Sequence, residues 1–386
     1  MSTPQRYIAH FDLDSFFVSV EVINNPSLAG KAVIVGGSKD RGVVTTCSYE
    51  ARKFGVRSAM PMKQAMQLCP HAILVRGTRG MYSKYSNWVT DIIASKAPLY
   101  EKASIDEFYI DLTGMDKFFD VLQWTIDLRQ QIINETQLPI SFGLASNKMI
   151  AKIATDEAKP NGFLFVKPGS EKEFLAPLPV NKFSGVGEST FKKLKWMGIH
   201  LIGDILKHSE QSLEDELGKW GKDLYRKAQG ISKSVVSMGR EAKSISKENT
   251  FIENISDENT LIIELVKMVE KVGYELRNDG MLTGCIAVKI RYPNFETTQK
   301  QTTIDFTLSD EVLIKEAITL FKKLWRKPQP VRLLGVRLSE FTNQTFQGNL
   351  FEDHTTQTKL YSAIDDVKNR FGKTSLQKAR TIKKEK

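Results

Sequence analysis

His10-Phe11-Asp12-Leu13-Asp14-Ser15-Phe16-Phe17 decides how the chain is read. The run from Tyr7 to Leu13 predicts a buried strand, and it ends in acids as it enters a loop. A second segment, Ser104-Ile105-Asp106-Glu107-Phe108-Tyr109-Ile110-Asp111, sets carboxylates inside an otherwise apolar, β-prone stretch. An ionised carboxylate is costly to bury alone, and a metal ion or a paired cation removes that cost. Magnesium favours few protein carboxylates, several waters and substrate phosphates. Two such ions roughly 3.5–4 Å apart can clamp an in-line phosphoryl displacement. The expected geometry has Asp12 and Asp106 bridging the metals from adjacent strands, with Glu107 at the edge. On these residues alone the other arrangement stays open, in which the strand-end acids point into solvent.

Working outward, short strands are expected over Ala32–Val35 and Val43–Thr46, and another over Ile140–Ser146. Two more, joined by a tight turn, fall within Glu101–Leu112. Short helices over Tyr49–Phe54 and Pro61–Cys69 stop at Gly55 and Pro70. Longer helices are predicted over Met81–Ala97, Phe118–Thr136 and Lys148–Ala158, the last ended by Lys159-Pro160-Asn161-Gly162. This alternation implies an α/β or α+β sandwich. Residues 171–230 read as short helices broken by glycines, and the Ser/Lys-rich 231–247 as a linker feeding an edge strand. Helices over Leu261–Arg277 and Glu311–Trp325, with strands over Thr283–Tyr292, Thr302–Thr307 and Val331–Phe341, complete a βαββαβ order. That order is ferredoxin-like. A last helix is expected near Leu360–Phe371.

The 386 residues carry 55 Lys and Arg against 45 Asp and Glu, a formal charge of +10. With 41% hydrophobic and 26% charged residues, the chain is no disordered polyelectrolyte and has material for several cores. The charge permits a polyanionic partner without establishing one. It is spread thinly: +3 over 1–170, +2 over 171–242, +1 over 243–342 and +4 over 343–386. Any polyanion site must therefore be a surface made by folding. Cys47, Cys69 and Cys285 stand far apart, with no CxxC or Cys/His cluster. This argues against zinc and disulfides and fits a reducing cytoplasm. The beginning, MSTPQRYIAHFDLD, shows no apolar stretch before a cleavage site, and no membrane span is expected.

Five motifs now carry a resemblance. Asp12-Leu13-Asp14-Ser15-Phe16-Phe17 resembles the first motif of the Y-family DNA polymerases. Tyr49-Glu50-Ala51-Arg52-Lys53-Phe54-Gly55-Val56-Arg57-Ser58-Ala59-Met60-Pro61 is similar to their fingers motif, most closely in the bacterial DNA polymerase IV branch. Ser104-Ile105-Asp106-Glu107 resembles the second carboxylate motif. Asn147-Lys148 and Ala158-Lys159-Pro160-Asn161-Gly162 resemble the end of the palm. The motifs stand in family order and at family spacing.

The resemblance implies an α+β multidomain, right-hand polymerase. Its parts would be a ferredoxin-like palm (1–22 and 78–170), small fingers (23–77), a helix-hairpin-helix thumb (171–232), a linker (233–244), a ferredoxin-like little finger (245–342) and a C-terminal tail (343–386). It implies two Mg2+ ions held by Asp12, Asp106, Glu107 and the Leu13 carbonyl, these acids being the catalytic residues. Asp14 is expected to be a structural hydrogen-bonding acid. Phe16, Phe17, Thr46, Tyr49, Arg52 and Lys159 would line the nucleotide site, with Phe17 the steric gate that leaves no room for a ribose 2′-hydroxyl. Tyr49 and Arg52, three apart, share one helix face, and Arg offers fork donors for phosphate oxygens.

Phe183-Ser184-Gly185-Val186-Gly187, followed by the basic stretch Phe191–Trp196, resembles a helix-hairpin-helix. Gly185 and Gly187 would let backbone N–H groups approach DNA phosphates. Lys289, Arg291, Arg332 and Arg337, with Arg240, Lys243 and Lys247, are candidate DNA contacts in the little finger. Gln347-Gly348-Asn349-Leu350-Phe351 resembles the bacterial sliding-clamp pentapeptide, with Gln347, Leu350 and Phe351 as its anchors. The implied partners are primer–template DNA, dNTPs and a sliding clamp, for a cytoplasmic monomer. The implied activity is error-prone translesion synthesis by two-metal phosphoryl transfer, without a proofreading exonuclease. The rivals are a palm-type nucleotidyl cyclase and a catalytically inactive DNA-binding scaffold.

Overall fold

The computed structural model describes residues 5–78, 80–239, 242–343, 354–372, 375, 376, 378 and 379. It divides into two compact units, Met1–Arg240 and Glu241–Lys386. In chain order the first unit has strands β1 (Ile8–Leu13), β2 (Val33–Gly36), β3 (Val44–Cys47), β4 (Ile73–Val75), β5 (Tyr100–Lys102), β6 (Glu107–Asp111), β7 (Ile140–Ala145) and β8 (Phe163–Phe165). They form a five-stranded sheet, β5-β6-β1-β7-β8, and a three-stranded sheet, β3-β2-β4. The predicted strands are present. β4 and β8 were not expected: each has three residues and rests on parallel pairing with β2 or β7.

β1 is buried on both faces. Ala9, Phe11 and Leu13 meet the helices Met81–Lys96 and Val121–Thr136 in one core. Ile8, His10 and Asp12 alternate to the other face, where His10 meets Thr155 of the helix Lys148–Ala158. That helix lies close because β7 carries Gly143, the cross-strand partner of His10. A Cβ at position 143 would stand 2.2 Å from the Ala151 carbonyl and 2.6 Å from the Thr155 nitrogen. The predicted helix from Phe118 begins instead at Val121. Asp120 caps it by accepting from the Leu122 and Gln123 amides (2.8 and 3.1 Å), which leaves Phe118 outside and 83% exposed.

Residues 171–230 form the predicted short helices, packed around Leu175, Phe183, Leu194, Ile202, Leu213 and Leu224. The expected linker departs from expectation over 231–239, where it is docked. Val236 is buried against Ile8 and Tyr109, the Ser237 amide donates to Glu101 Oε2 (3.1 Å), and Arg6 donates to the Ser234 carbonyl (3.2 Å).

The second unit has β9 (Ser244–Ile255), β10 (Met281–Arg291), β11 (Thr297–Thr307) and β12 (Val331–Asn343), an antiparallel sheet in the order β11-β10-β12-β9. With the helices Glu258–Asn278 and Asp310–Leu324 it is the expected βαββαβ module. Ile286, Val288, Ile290, Leu334, Val336 and Leu338 face the helices. The terminal helix, His354–Phe371, starts earlier than predicted and docks on that helical layer. Arg277 donates to Asp365 (2.6 Å) and Asp310 (2.7 Å), and its guanidinium stacks on Tyr361. No helix of the described residues is long and apolar enough to cross a membrane.

Candidate active site

The register of β1 against β6 builds the site. Asp12 is the cross-strand partner of Glu107, and the Leu13 amide donates to the Asp106 carbonyl (3.1 Å). Asp12, Leu13, Asp106 and Glu107 thus lie together at one end of the sheet. Asp12 is 7% exposed, so the solvent-pointing alternative does not hold for it. Burial, aided by Glu107 and Asp106 and opposed by Lys159, pushes its carboxyl up to about 7. Lys159 Nζ lies 2.6 Å from Asp12 Oδ1.

Glu107 is half-buried. Its Oε1 accepts from Lys152 (2.6 Å), and its Oε2 faces the buried His10 Nε2 at 3.6 Å. The His10 ring first, then Lys152, hold its carboxyl at about 2 against the upward push of burial. Burial itself holds the His10 imidazole below its usual value. Asp106 accepts from Ser104 Oγ (2.5 Å). Among the described residues, no three ligating side chains converge on one point. The donor set is nevertheless three carboxylates and a backbone carbonyl, all hard oxygens, around a carboxyl that needs a nearby cation to stay ionised. Such a set fits a hard divalent ion.

Asp14 is 1% exposed and satisfied, as expected of a structural acid. Ser141 Oγ (2.8 Å) and the Asn161 amide (2.7 Å) donate to Oδ2, and Tyr49 Oη donates to Oδ1 (3.2 Å). Burial and Asp14 both push the Tyr49 phenol above its usual value. Ser48 caps the one-turn helix Tyr49–Arg52. The Arg52 guanidinium lies 4.8 Å over the Tyr49 ring, and its Nε donates to the Cys47 carbonyl (3.3 Å). Thr46 is half-buried on β3, opposite Val35.

Ser15 turns the chain at φ 45° into the helix Phe16–Asn24. Phe16 enters the core. Phe17 is half-buried and stacks on Tyr82, centroids 4.1 Å apart at 18°. Tyr82 in turn donates to Glu21 Oε1 (2.6 Å). Sequence reasoning missed this buttress. Its signal was Glu21, the lone charged residue of its helix, four residues beyond Phe17. It also missed Lys152 and His10.

Gly185, at φ 95°, and Gly187 lead into the helix Glu188–Trp196, and a Cβ at either would meet nothing within 4 Å. In the second unit, β-alternation puts Lys289, Arg291 and Arg337 on the sheet face turned away from the helices. There Lys289 pairs with Glu248, Arg291 donates to Thr297 Oγ1 (2.8 Å), and Arg337 donates to Gln301 Oε1 (3.1 Å). Arg332 sits at a bulge of β12, its guanidinium 4.6 Å from the Phe295 ring. Lys247 does not join this group, because it pairs with Glu275 of the helix Glu258–Asn278 (2.9 Å). Lys243 is exposed just ahead of β9. Arg240, Gln347, Leu350 and Phe351 lie outside the described residues.

Residues 11–156 match the family model described as impB/mucB/samB, and 242–350 match its C-terminal domain. Residues 181–232 match the thumb domain of DNA polymerase-iota. The chain is 39% identical over 348 residues to a DNA polymerase IV of Streptococcus agalactiae, covering 88% of this chain and 95% of that protein. It is 36% identical over 382 residues to one of Dehalococcoides mccartyi, covering 98% of each. A solved Y-family DNA polymerase chimera of Dbh and Dpo4 superposes with TM-score 0.78 at 28% identity, covering 87% of this chain and 99% of that one. With its ordered motifs, its paired acids and relatives matched over most of their length, the chain belongs to the Y family of DNA polymerases.

Proposed function

We infer that this Y-family DNA polymerase extends a DNA primer along a template, damaged templates included, adding deoxynucleoside monophosphates to the 3′-hydroxyl without a proofreading step. The observation that carries this reading is the pairing of Asp12 with Glu107, which gathers three carboxylates and the Leu13 carbonyl beside two lysines. These oxygens would hold two magnesium ions. Bound there, magnesium supplies charge neutralisation at the phosphates and a lower pKa at the primer hydroxyl.

The chain's own groups do the rest. Arg52, set over the Tyr49 ring, offers its fork to the triphosphate, and Thr46 adds a hydroxyl. Lys159 leaves Asp12 for the same phosphates. Phe17, stiffened by Tyr82, lies under the sugar and rejects a 2′-hydroxyl, with Phe16 setting its base in the core. We assign palm to 1–22 and 78–170, fingers to 23–77, thumb to 171–232 and little finger to 245–342. The docked strap makes 233–244 less a free linker than a partly fastened one. The uncrowded backbone at Gly185 and Gly187 and the outward cations Lys289, Arg291 and Arg337, with Arg332 at the bulge, would hold DNA by its phosphates. Gln347, Leu350 and Phe351 would dock a sliding clamp. The enzyme works as a cytoplasmic monomer on this reading.

Primer extension tests it. Asp106→Ala should cut extension about a thousandfold or more, while DNA binding persists. Surviving extension would remove Asp106 from the metal site. A wild-type protein giving no template-dependent product would return the case to the cyclase or the inactive scaffold, neither of which has a structural observation in its favour.

A further inference from the structure

One face of the helix Lys148–Ala158 and its end carries Lys148, Lys152, Thr155 and Lys159, spaced by four, three and four residues. Each meets one polar group of the five-stranded sheet. Lys148 pairs with Glu101, Lys152 with Glu107 and Lys159 with Asp12, all at 2.6 Å, and Thr155 Oγ1 lies 2.8 Å from His10 Nδ1. Gly143 makes the ladder possible by letting the helix touch the sheet.

The rungs differ in what else they do. Lys148 also donates to the Val235 carbonyl of the docked strap (3.4 Å), and Lys159 is the lysine inferred above to reach the triphosphate. Lys152 has its one hydrogen bond, among the described residues, with Glu107. It is also the most open rung, with side chains 27% and 26% exposed against 10% and 9% for Lys148 and Glu101. His10 Nε2 faces the other Glu107 oxygen but is too far to hydrogen-bond it. The ammonium, at 2.6 Å, is therefore the hydrogen-bonded restraint on the carboxylate, and the ring acts on it only from 3.6 Å.

Given Glu107 as a metal ligand, as inferred above, we propose that Lys152 is a positioning residue of this polymerase: its ammonium holds the Glu107 carboxylate in place before a metal ion binds, and yields it when one does. The exchange substitutes one cation for another, so the buried acids are never left uncompensated. A half-exposed pair is weak enough to be exchanged. The same pair fixes the rotamer of the carboxylate, so that its oxygens stand in the geometry the reaction needs.

The test measures Mn2+ binding by EPR on the protein–primer–template complex, beside steady-state dNTP incorporation, for Lys152→Met and Lys152→Arg. Lys152→Met should bind Mn2+ up to about fivefold more tightly, since its competitor is gone. Its kcat should fall about tenfold with the dNTP KM nearly unchanged, since the carboxylate is no longer pre-placed. Lys152→Arg, which keeps the charge and a donor, should restore kcat to within about threefold. Mn2+ affinity unmoved in Lys152→Met, whatever happens to kcat, overturns the proposal, as does an Arg variant no better than the Met one. Failure of the underlying assignment looks different: Glu107→Gln would then bind Mn2+ as tightly as wild type. Melting temperature verifies folding, and Lys152→Gln replaces the Met variant if that one does not fold.

Discussion

In the five-stranded sheet of the first unit, three acids each meet one lysine of the helix laid on the sheet, Asp12 with Lys159, Glu107 with Lys152 and Glu101 with Lys148, and the first and last of these pairs are well covered. In the four-stranded sheet of the second unit, Lys289, Arg291 and Arg337 lie on an open face beside Glu248, Thr297 and Gln301. The first arrangement suits chemistry, because a charge in low dielectric has a large effect and must be exactingly placed. The second suits a sliding polyanion, because hydrated cations exchange one phosphate for another at little cost. Breaking a rung should therefore be felt in stability or catalysis, whereas removing an open-face cation should be felt in salt-dependent binding.

The largest effect expected is at Asp12. Asp12→Asn should abolish extension, by about a thousandfold or more. In chelator the same change should stabilise the protein with a definite pH dependence. The folded carboxyl, at about 7, lies above the ordinary value of 3.8, so the unfolded chain ionises first as pH rises. Wild-type stability is thus lost between those values, and the Asn variant should melt a few degrees higher at pH 8 and level with wild type at pH 4. A variant that melts lower at pH 8 would mean that the buried acid is not under strain.

Next comes Phe17→Ala, which should relax discrimination against ribonucleotides about a hundredfold. Single-nucleotide incorporation of dNTP against rNTP measures it, and unchanged discrimination would remove Phe17 from the sugar site. Lys148→Met strands Glu101 in a pair with side chains only 10% and 9% exposed, and should cost about 3 kcal/mol of stability. Thermal or denaturant unfolding would show it, together with protease sensitivity in 231–239 as the strap loses an anchor. The smallest effect belongs to Lys289→Met, whose pair is 31% and 38% exposed. Stability should stay within about 0.5 kcal/mol, while the slope of log affinity for DNA against log salt falls by about 1. A stability loss at Lys289 comparable with that at Lys148 would erase the contrast between the two sheets.

Much of this was legible beforehand because it is local. An apolar run that ends in Asp12 and Asp14, a second acid pair at Asp106 and Glu107, and a βαββαβ order each show themselves in pattern and spacing. The misses share a cause. β4 and β8 are three residues long and depend on parallel partners far off in sequence. Phe118 and Phe119 extend the helical pattern, but the side chain of Asp120 starts the helix after them. The 231–239 strap has a linker's composition, and only the groove beside Ile8 and Tyr109 makes Val236 a core residue. The terminal helix was visible, but its dock was not, because Arg277, Asp310 and Asp365 are each unremarkable in their own segments.

By itself, then, the amino-acid order determined the family, the acids and the strands that carry them, since those follow from alternation and from residue type at fixed short spacing. Only the tertiary structure decided which cation answers each acid. In the sequence Lys152 reads as an ordinary surface lysine of a helix, and Lys159, through the resemblance, as a phosphate contact rather than the partner of an acid. They become the partners of Glu107 and Asp12 because Gly143 lets that helix lie directly on the sheet. Ion pairing depends on separations of a few ångströms between segments tens of residues apart, and chain order holds no record of such distances until the layers have packed.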